Sequence, residues 1–403
     1  MYYLPRGAVT ADWDDDFKSN IRLESARKSA KTCALHLVTL SHPQTSSALS
    51  RPYPFSQVIM KQLLALALAS LAVAGALQAQ TLTPAQARMV GGCMIYPADN
   101  IWNTPINGLP VDQDSAVFIN TIGKGYALHP DFGREASNGM PINVVDGKAT
   151  KVKTTFEDKD DSDKGPYPVG SSANALVEGG PNPKSGDDHH FLTVVSAPKC
   201  VLYEMYNVSP ITSGGTVGRK SNGTIQAYSG NYVDLTSNQL RALPPNSPMG
   251  LNSADAAGLE IMPALVRYDE AASGQINHAL RFTLPVTRSA FVWPARHYAS
   301  SNASNTLLPM GARIRLKASF NTAGYSQKNQ AILNALKTYG AILADNGSPL
   351  FLSGTPDVRW DDDDLHNLGK VTFTDFEVVS MSAIADLEYV PNSGKVDPDA
   401  KLK

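Results

Sequence analysis

The chain of 403 residues has only three cysteines and no surplus of either charge: 35 Lys and Arg stand against 37 Asp and Glu, for a formal charge of −2. Without a basic field there is no electrostatic footprint for nucleic acid, so no nucleic-acid partner is expected. Apart from one apolar stretch at 60–79, no run is long and apolar enough to cross a bilayer, and no membrane attachment is expected once that stretch is removed. Catalytic signatures are missing too: no Ser-centred nucleophile elbow, no paired-His metalloprotease motif and no dinucleotide fingerprint. The nearest approach to a phosphate loop, GGTVGRKS from Gly214, is one residue short in its glycine spacing, admits Arg219 and precedes no helical pattern. Nucleotide binding is therefore set aside.

What is present first is an export signal. From Met60, Lys61 precedes a Leu- and Ala-rich run too short for a comfortable span, and small residues follow up to Leu77-Gln78-Ala79. This is the layout of a secretory signal peptide cleaved after Ala79. Residues 1–59 have no amphipathic repeat, and their Ser, Arg and Pro content suits neither a core nor an address signal; they are expected to be a non-native or disordered leader, with translation starting at Met60. The division is then 1–59 leader, 60–79 signal peptide and 80–403 a single secreted domain, soluble in the periplasm or outside the cell. Cys33 falls in the leader, which leaves Cys93 and Cys200. An even pair in an oxidising compartment is most simply a disulfide bond, with two buried free thiols as the alternative.

Many short alternating runs bounded by Gly, Pro, Asn and Asp predict a mainly β fold, a β-sandwich or jelly-roll-like domain with short helical decorations. One long helix is predicted at 326–339, with Ile332, Leu333, Leu336 and Tyr339 on one face, Ser326 as its cap and Gly340 as its stop. At 310–319 the alternation sets Arg313, Arg315 and Lys317 on an exposed basic stripe. The acidic run Asp361–Asp364 suits the first turn of a short helix.

The organising stretch is 186–207, two strand-like runs at 189–195 and 200–207 joined by Ser196-Ala197-Pro198-Lys199. Closing the hairpin about Ala197-Pro198 pairs Phe191 with Glu204 and His189 with Tyr206, and strand parity adds Asp187 to that face. A carboxylate, an imidazole and a phenol so gathered can bind a polar ligand or move protons; a solvated sheet face is the bland alternative. A slip of one residue would swap the faces. Glu178 lies near the hairpin entrance. Farther on, 276–284 alternates as a half-buried strand, with His278 on the face of Leu280 and Phe282 and Arg281 on the other. Trp293, Arg296 and His297 lie close together in FVWPARHY, a combination that suits sugar rings and acidic groups as well as ordinary packing.

PADNIWNTP, LHPDFG, HALRFT, PARHYA and MGARIRLK together resemble a family of secreted bacterial and fungal proteins with no established activity, over most of 93–379. The resemblance implies one exported β-rich unit and supplies no catalytic residue.

Export, aromatic-rich loops and scattered carboxylates point to a carbohydrate-active enzyme on extracellular polysaccharide or oligosaccharide. In a hydrolase, Glu204 would be the general acid, with Asp187, Asp188 or Glu178 as base or nucleophile. In a lyase, Tyr206 or His189 would take a proton beside a uronate neutralised by Arg281 or Arg296. A non-catalytic glycan-binding or cell-surface protein is the second reading. The third is a metal-dependent enzyme with a His189, Glu204 and His278 set; otherwise no cofactor is expected.

Overall fold

The apolar runs between turn residues become fourteen short strands among the described residues, 82–171, 175–181, 188–243 and 249–387 of a computed structural model. The expected leader and signal peptide, and Asp187, lie outside these residues. In chain order the strands are β1 (His129–Asp131), β2 (Ile142–Val145), β3 (Lys151–Val152), β4 (Thr154–Phe156), β5 (Tyr167–Pro168), β6 (Phe191–Val195), β7 (Val201–Tyr206), β8 (Ile225–Ala227), β9 (Ser229–Asp234), β10 (Leu280–Leu284), β11 (Arg313–Leu316), β12 (Ala341–Asn346), β13 (Phe351–Ser353) and β14 (Phe376–Val378). They form a six-stranded sheet ordered β1-β13-β10-β12-β11-β14, a four-stranded sheet ordered β2-β6-β7-β9, and two two-stranded pieces.

The fold is β-rich, and its sheets are mixed and open. β1 runs parallel to β13, β10 to β12, β2 to β6 and β4 to β8. Parallel neighbours require crossover connections, which strand alternation alone does not announce. The crossover from β10 to β12 carries β11 and the long helix Gln327–Thr338. That helix forms as its pattern predicts: Ser326 Oγ accepts from the Asn329 N–H, and Ile332, Leu333 and Leu336 are fully buried against the six-stranded sheet. Gly340 ends it at φ +69°, where an added Cβ would lie 2.3 Å from the Ile314 carbonyl oxygen, so only glycine fits.

Two expectations are corrected. The arginines of β11 are not on a wet stripe: Arg313 Nε donates to the Tyr339 carbonyl, and Arg315 donates to the Ile106 and Leu109 carbonyls and to Glu377. The N-terminal stretch around 101–109 covers this face, and its carbonyl groups take the place of water. The hairpin register is shifted by one residue as well. Its connection is five residues long, 196–200, because Cys200 leaves the ladder at φ +50°, and Val195 pairs with Val201 rather than with Cys200. Leu192 therefore faces Glu204, and Phe191 faces Met205. The face expected to carry His189 with Glu204 and Tyr206 instead carries His190 with them, and the His190 and Tyr206 ring centroids are 5.3 Å apart. His189 sits outside the ladder at φ +51°.

Both faces of the four-stranded sheet are covered. Leu192, Val194 and Leu202 pack with Cys93, Ile261 and Leu265 on one side, and Phe191, Val195 and Met205 pack with Val177 and Ile225 on the other. Cys93 and Cys200 form a disulfide across 107 residues, tying the start of the described chain to the hairpin. Among the described residues no helix is long and apolar enough to cross a membrane.

Candidate functional site

A charged side chain on a fully buried strand must find a counter-charge or a set of polar partners, because an isolated ion away from water is prohibitively costly. On β10 this requirement falls on Arg281, only 3% exposed. Its Nε and Nη2 form a fork on the Asp255 carboxylate, both at 2.8 Å; Nη1 donates to Ser353 Oγ at 2.7 Å, and Nη2 also reaches Asp345 Oδ2 at 3.0 Å. Ser353 is the register partner of Asp131 on β1, so Asp131, Ser353 and Arg281 lie in a row across three strands.

A β-bulge brings Asp345 to that row. Phe282 pairs with Leu343 but Thr283 pairs with Asp345, which makes Ala344 the extra residue and turns Asp345 to the face of Arg281 and Thr283. The Ala344 carbonyl accepts from the Ala257 N–H at 2.8 Å, and this anchors the loop that carries Asp255.

From the four-stranded sheet, His190 enters the same cluster. Nδ1 lies 2.6 Å from Glu178 Oε2, and Nε2 lies 3.1 Å from the Ala254 carbonyl oxygen. The Ala254 carbonyl only accepts, so Nε2 carries a proton; Glu178, held ionised, accepts a second from Nδ1, which makes the ring an imidazolium. Burial works against that charge, but Glu178 overrides it and raises the His190 pKa to about 9. Burial likewise opposes ionisation of Glu178, and the adjoining His190 still holds its pKa below the ordinary value. Tyr206 extends from the end of β7 and donates to Asp188 Oδ1 at 3.4 Å. Burial, with Asp188 and Asp345 nearby, pushes the phenol up to about 12, so it stays protonated. Burial and the neighbouring Asp255 carboxylate raise Asp345 to about 7: Asp255 holds the fork of the shared guanidinium and leaves Asp345 its edge. Asp131 is raised by burial and by Glu178.

These shifts set the pH dependence of stability. A group whose pKa is raised on folding contributes fully below its unfolded value and less as pH climbs through its folded one. That sign applies to His190 between 6.5 and about 9, to Asp345 between 3.8 and about 7, and to Glu204 between 4.5 and about 8. Glu178 supplies the acid limb, lost as pH falls below 4.5. The thermal midpoint is expected to peak near about pH 5 and to fall steadily toward about pH 9. A midpoint that rises over that interval would contradict the assignment.

The other residues singled out in the sequence lie elsewhere. Glu204 is fully buried, and its carboxylate accepts from the Ile261 and Met262 N–H groups at 2.9–3.1 Å, which fixes the turn at 261–264 beneath the sheet. His278 is buried on Glu270 at 3.1 Å, beside Arg267. Glu204 and His278 thus have separate partners, and among the described residues no group of three or more His, Cys, Asp or Glu is arranged to hold a metal ion, so the expected two-His, one-carboxylate set is not assembled. Arg296 Nη2 donates to the Arg241 carbonyl, and His297 Nδ1 contacts the Ala256 carbonyl at 2.7 Å. His297 therefore braces the 253–258 loop and Arg296 the chain at Arg241, and neither bond is to a group of the cluster. Trp293 packs, half-buried, against apolar side chains.

Comparison with family models, curated proteins and solved structures finds no match. The site therefore has to be read from its own groups. Asp255 and Asp345 escape a reading of the sequence, and Asp131 passes for a turn residue, because each lies in a segment that looks like a turn or loop. The usable signal is Arg281, a charge on a strand whose neighbours are apolar. A separate half-open depression of about 460 Å³, lined by Met89, Ile142, Tyr268 and Val358 among others, includes none of the cluster. Its walls are mostly apolar, with Arg134, Arg267, Asp269 and Asp357 among them, and the groups of the cluster lie elsewhere.

Proposed function

We propose that this protein is an exported carbohydrate-active hydrolase whose chemistry is carried by Asp345 as general acid and Asp188 as general base. The observation that supports it most is a pair of carboxyl groups in unlike surroundings near Tyr206: Asp188 accepts from its hydroxyl at 3.4 Å, and Asp345 lies close enough to raise its pKa. Asp345 is largely buried and keeps its proton up to about pH 7, while Asp188 is exposed to solvent. Glycoside hydrolysis needs two such groups, one to protonate the leaving oxygen and one to activate water or attack the sugar carbon. Asp345 would pass its proton to the glycosidic oxygen, and Asp188 would take a proton from the attacking water. Tyr206, Tyr228 and Phe351 supply ring faces of the kind that stack on sugars, Tyr206 and Tyr228 meeting edge-on at 5.8 Å.

A lyase would need a free base, and the groups on hand suit that role less well, since both His190 nitrogens are engaged and the Tyr206 proton is held tightly. The Cys93–Cys200 disulfide supports export, since such bonds persist in oxidising compartments. Glycan binding without turnover is the reading favoured by the ring pair alone.

Asp345→Asn separates the two. The variant is expected to lose on the order of 10²-fold in turnover on a polysaccharide panel assayed by reducing ends, while it retains binding. Unchanged turnover would remove Asp345 from the mechanism, and no turnover by the parent protein on any glycan would favour the binder.

A further inference from the structure

Five carboxyl groups, Asp131, Glu178, Asp188, Asp255 and Asp345, share this site with two cations, His190 and Arg281. With Asp345 protonated, as its role of general acid requires, four carboxylates face two cations, and two negative charges are in excess. Neither cation is available to an incoming anion. Arg281 spends its nitrogens on Asp255, Asp345 and Ser353, and His190 spends both of its own on Glu178 and the Ala254 carbonyl. Arg134, three residues beyond Asp131, lines the separate apolar depression. The acidic groups that solvent reaches are Asp188, Asp131, Asp345 and Glu178, the last already paired with His190, and beside them lie the rings of Tyr206, Tyr228 and Phe351. His129 stacks on Phe351 at 4.0 Å, and burial, with His366 nearby, lowers its pKa, so this ring adds no compensating charge near neutrality.

Carboxylates beside aromatic faces are the combination that recognises an ammonium group: the rings attract a cation through their quadrupoles, and the carboxylates accept its hydrogens. A uronate would meet like charge, with no uncommitted guanidinium in the cluster among the described residues to offset it. Resting on the hydrolase reading, we infer that the substrate is a cationic glycan, a polymer of hexosamine units with free amino groups. The ammonium would be received between Asp131, Asp188 and Tyr206, and the ring faces would cover the sugar.

The test compares binding and cleavage of glucosamine oligomers, their fully N-acetylated counterparts and uronate oligomers of equal length, at mildly acidic pH and low salt. The free-amine oligomer is expected to bind on the order of tenfold more tightly than the acetylated one, with the margin shrinking as salt is added. Asp131→Asn is expected to narrow that ratio, and its thermal midpoint serves as the check on folding. Equal or tighter binding of the acetylated or uronate oligomers overturns the inference. If glycans are cleaved without preference for the amine, the substrate inference falls and the hydrolase reading stands. If the amine oligomer is bound with preference and never cleaved, charge recognition stands and the hydrolase reading falls.

Discussion

Arg281→Met is expected to destabilise the fold by about 3–5 kcal/mol, the cost of leaving a buried charge unpaired. Asp255 is 1% exposed, and its ionic partner is the Arg281 fork. One guanidinium bridges Asp255 on its loop, Asp345 on β12 and Ser353 on β13. Methionine fills much of the stem volume, so the loss comes from the charge rather than from a cavity. Burial opposes the arginine's charge, and Asp255 with Asp345 more than offsets it, holding the pKa above the ordinary value. Arg281→Met combined with Asp255→Asn should recover a substantial part of the loss, because the second change removes the stranded charge. Urea denaturation of the three proteins measures both effects. If the single variant loses less than about 1 kcal/mol, the buried network is not what joins the strands.

The second large effect is on the disulfide. Closing a loop of 107 residues restricts the unfolded chain, and the chain-entropy model puts the contribution at roughly 4–5 kcal/mol. Cys93→Ser with Cys200→Ser should therefore shift the denaturation midpoint far below that of the parent, and reducing agent should shift the parent to nearly the same point. The ring of packed residues around the bond, Ile95, Leu202 and Leu235, remains in the double variant and keeps it folded in the absence of denaturant. Reduction that leaves the midpoint unchanged would show that the bond adds nothing beyond this packing.

The two halves of the site differ in how far the sequence announces them. Arg281 on the polar face of an alternating strand is legible, and so is Glu178 as a carboxylate at the hairpin entrance. Tyr206 is expected on a polar face, and it does lie in the cluster. The imidazole is misplaced by one position, because the five-residue connection and the left-handed Cys200 shift the register, and period-2 patterning carries no information about loop geometry. Glu204 looks like an acid on an open face; the turn at 261–264 covers it, and that turn comes from a segment more than fifty residues away in the chain.

The sequence by itself determined the local elements: short strands, the capped helix ended by Gly340, and two cysteines left to pair. These follow from side-chain period and backbone preference, which are properties of neighbouring residues. Tertiary structure decided that β10 lies between β12 and β13, that the bulge at Ala344 turns Asp345 toward Arg281, and that His190 rather than His189 meets Tyr206. Each of these depends on contacts between distant segments, where the need to satisfy one buried guanidinium selects among partners that the local pattern leaves equivalent.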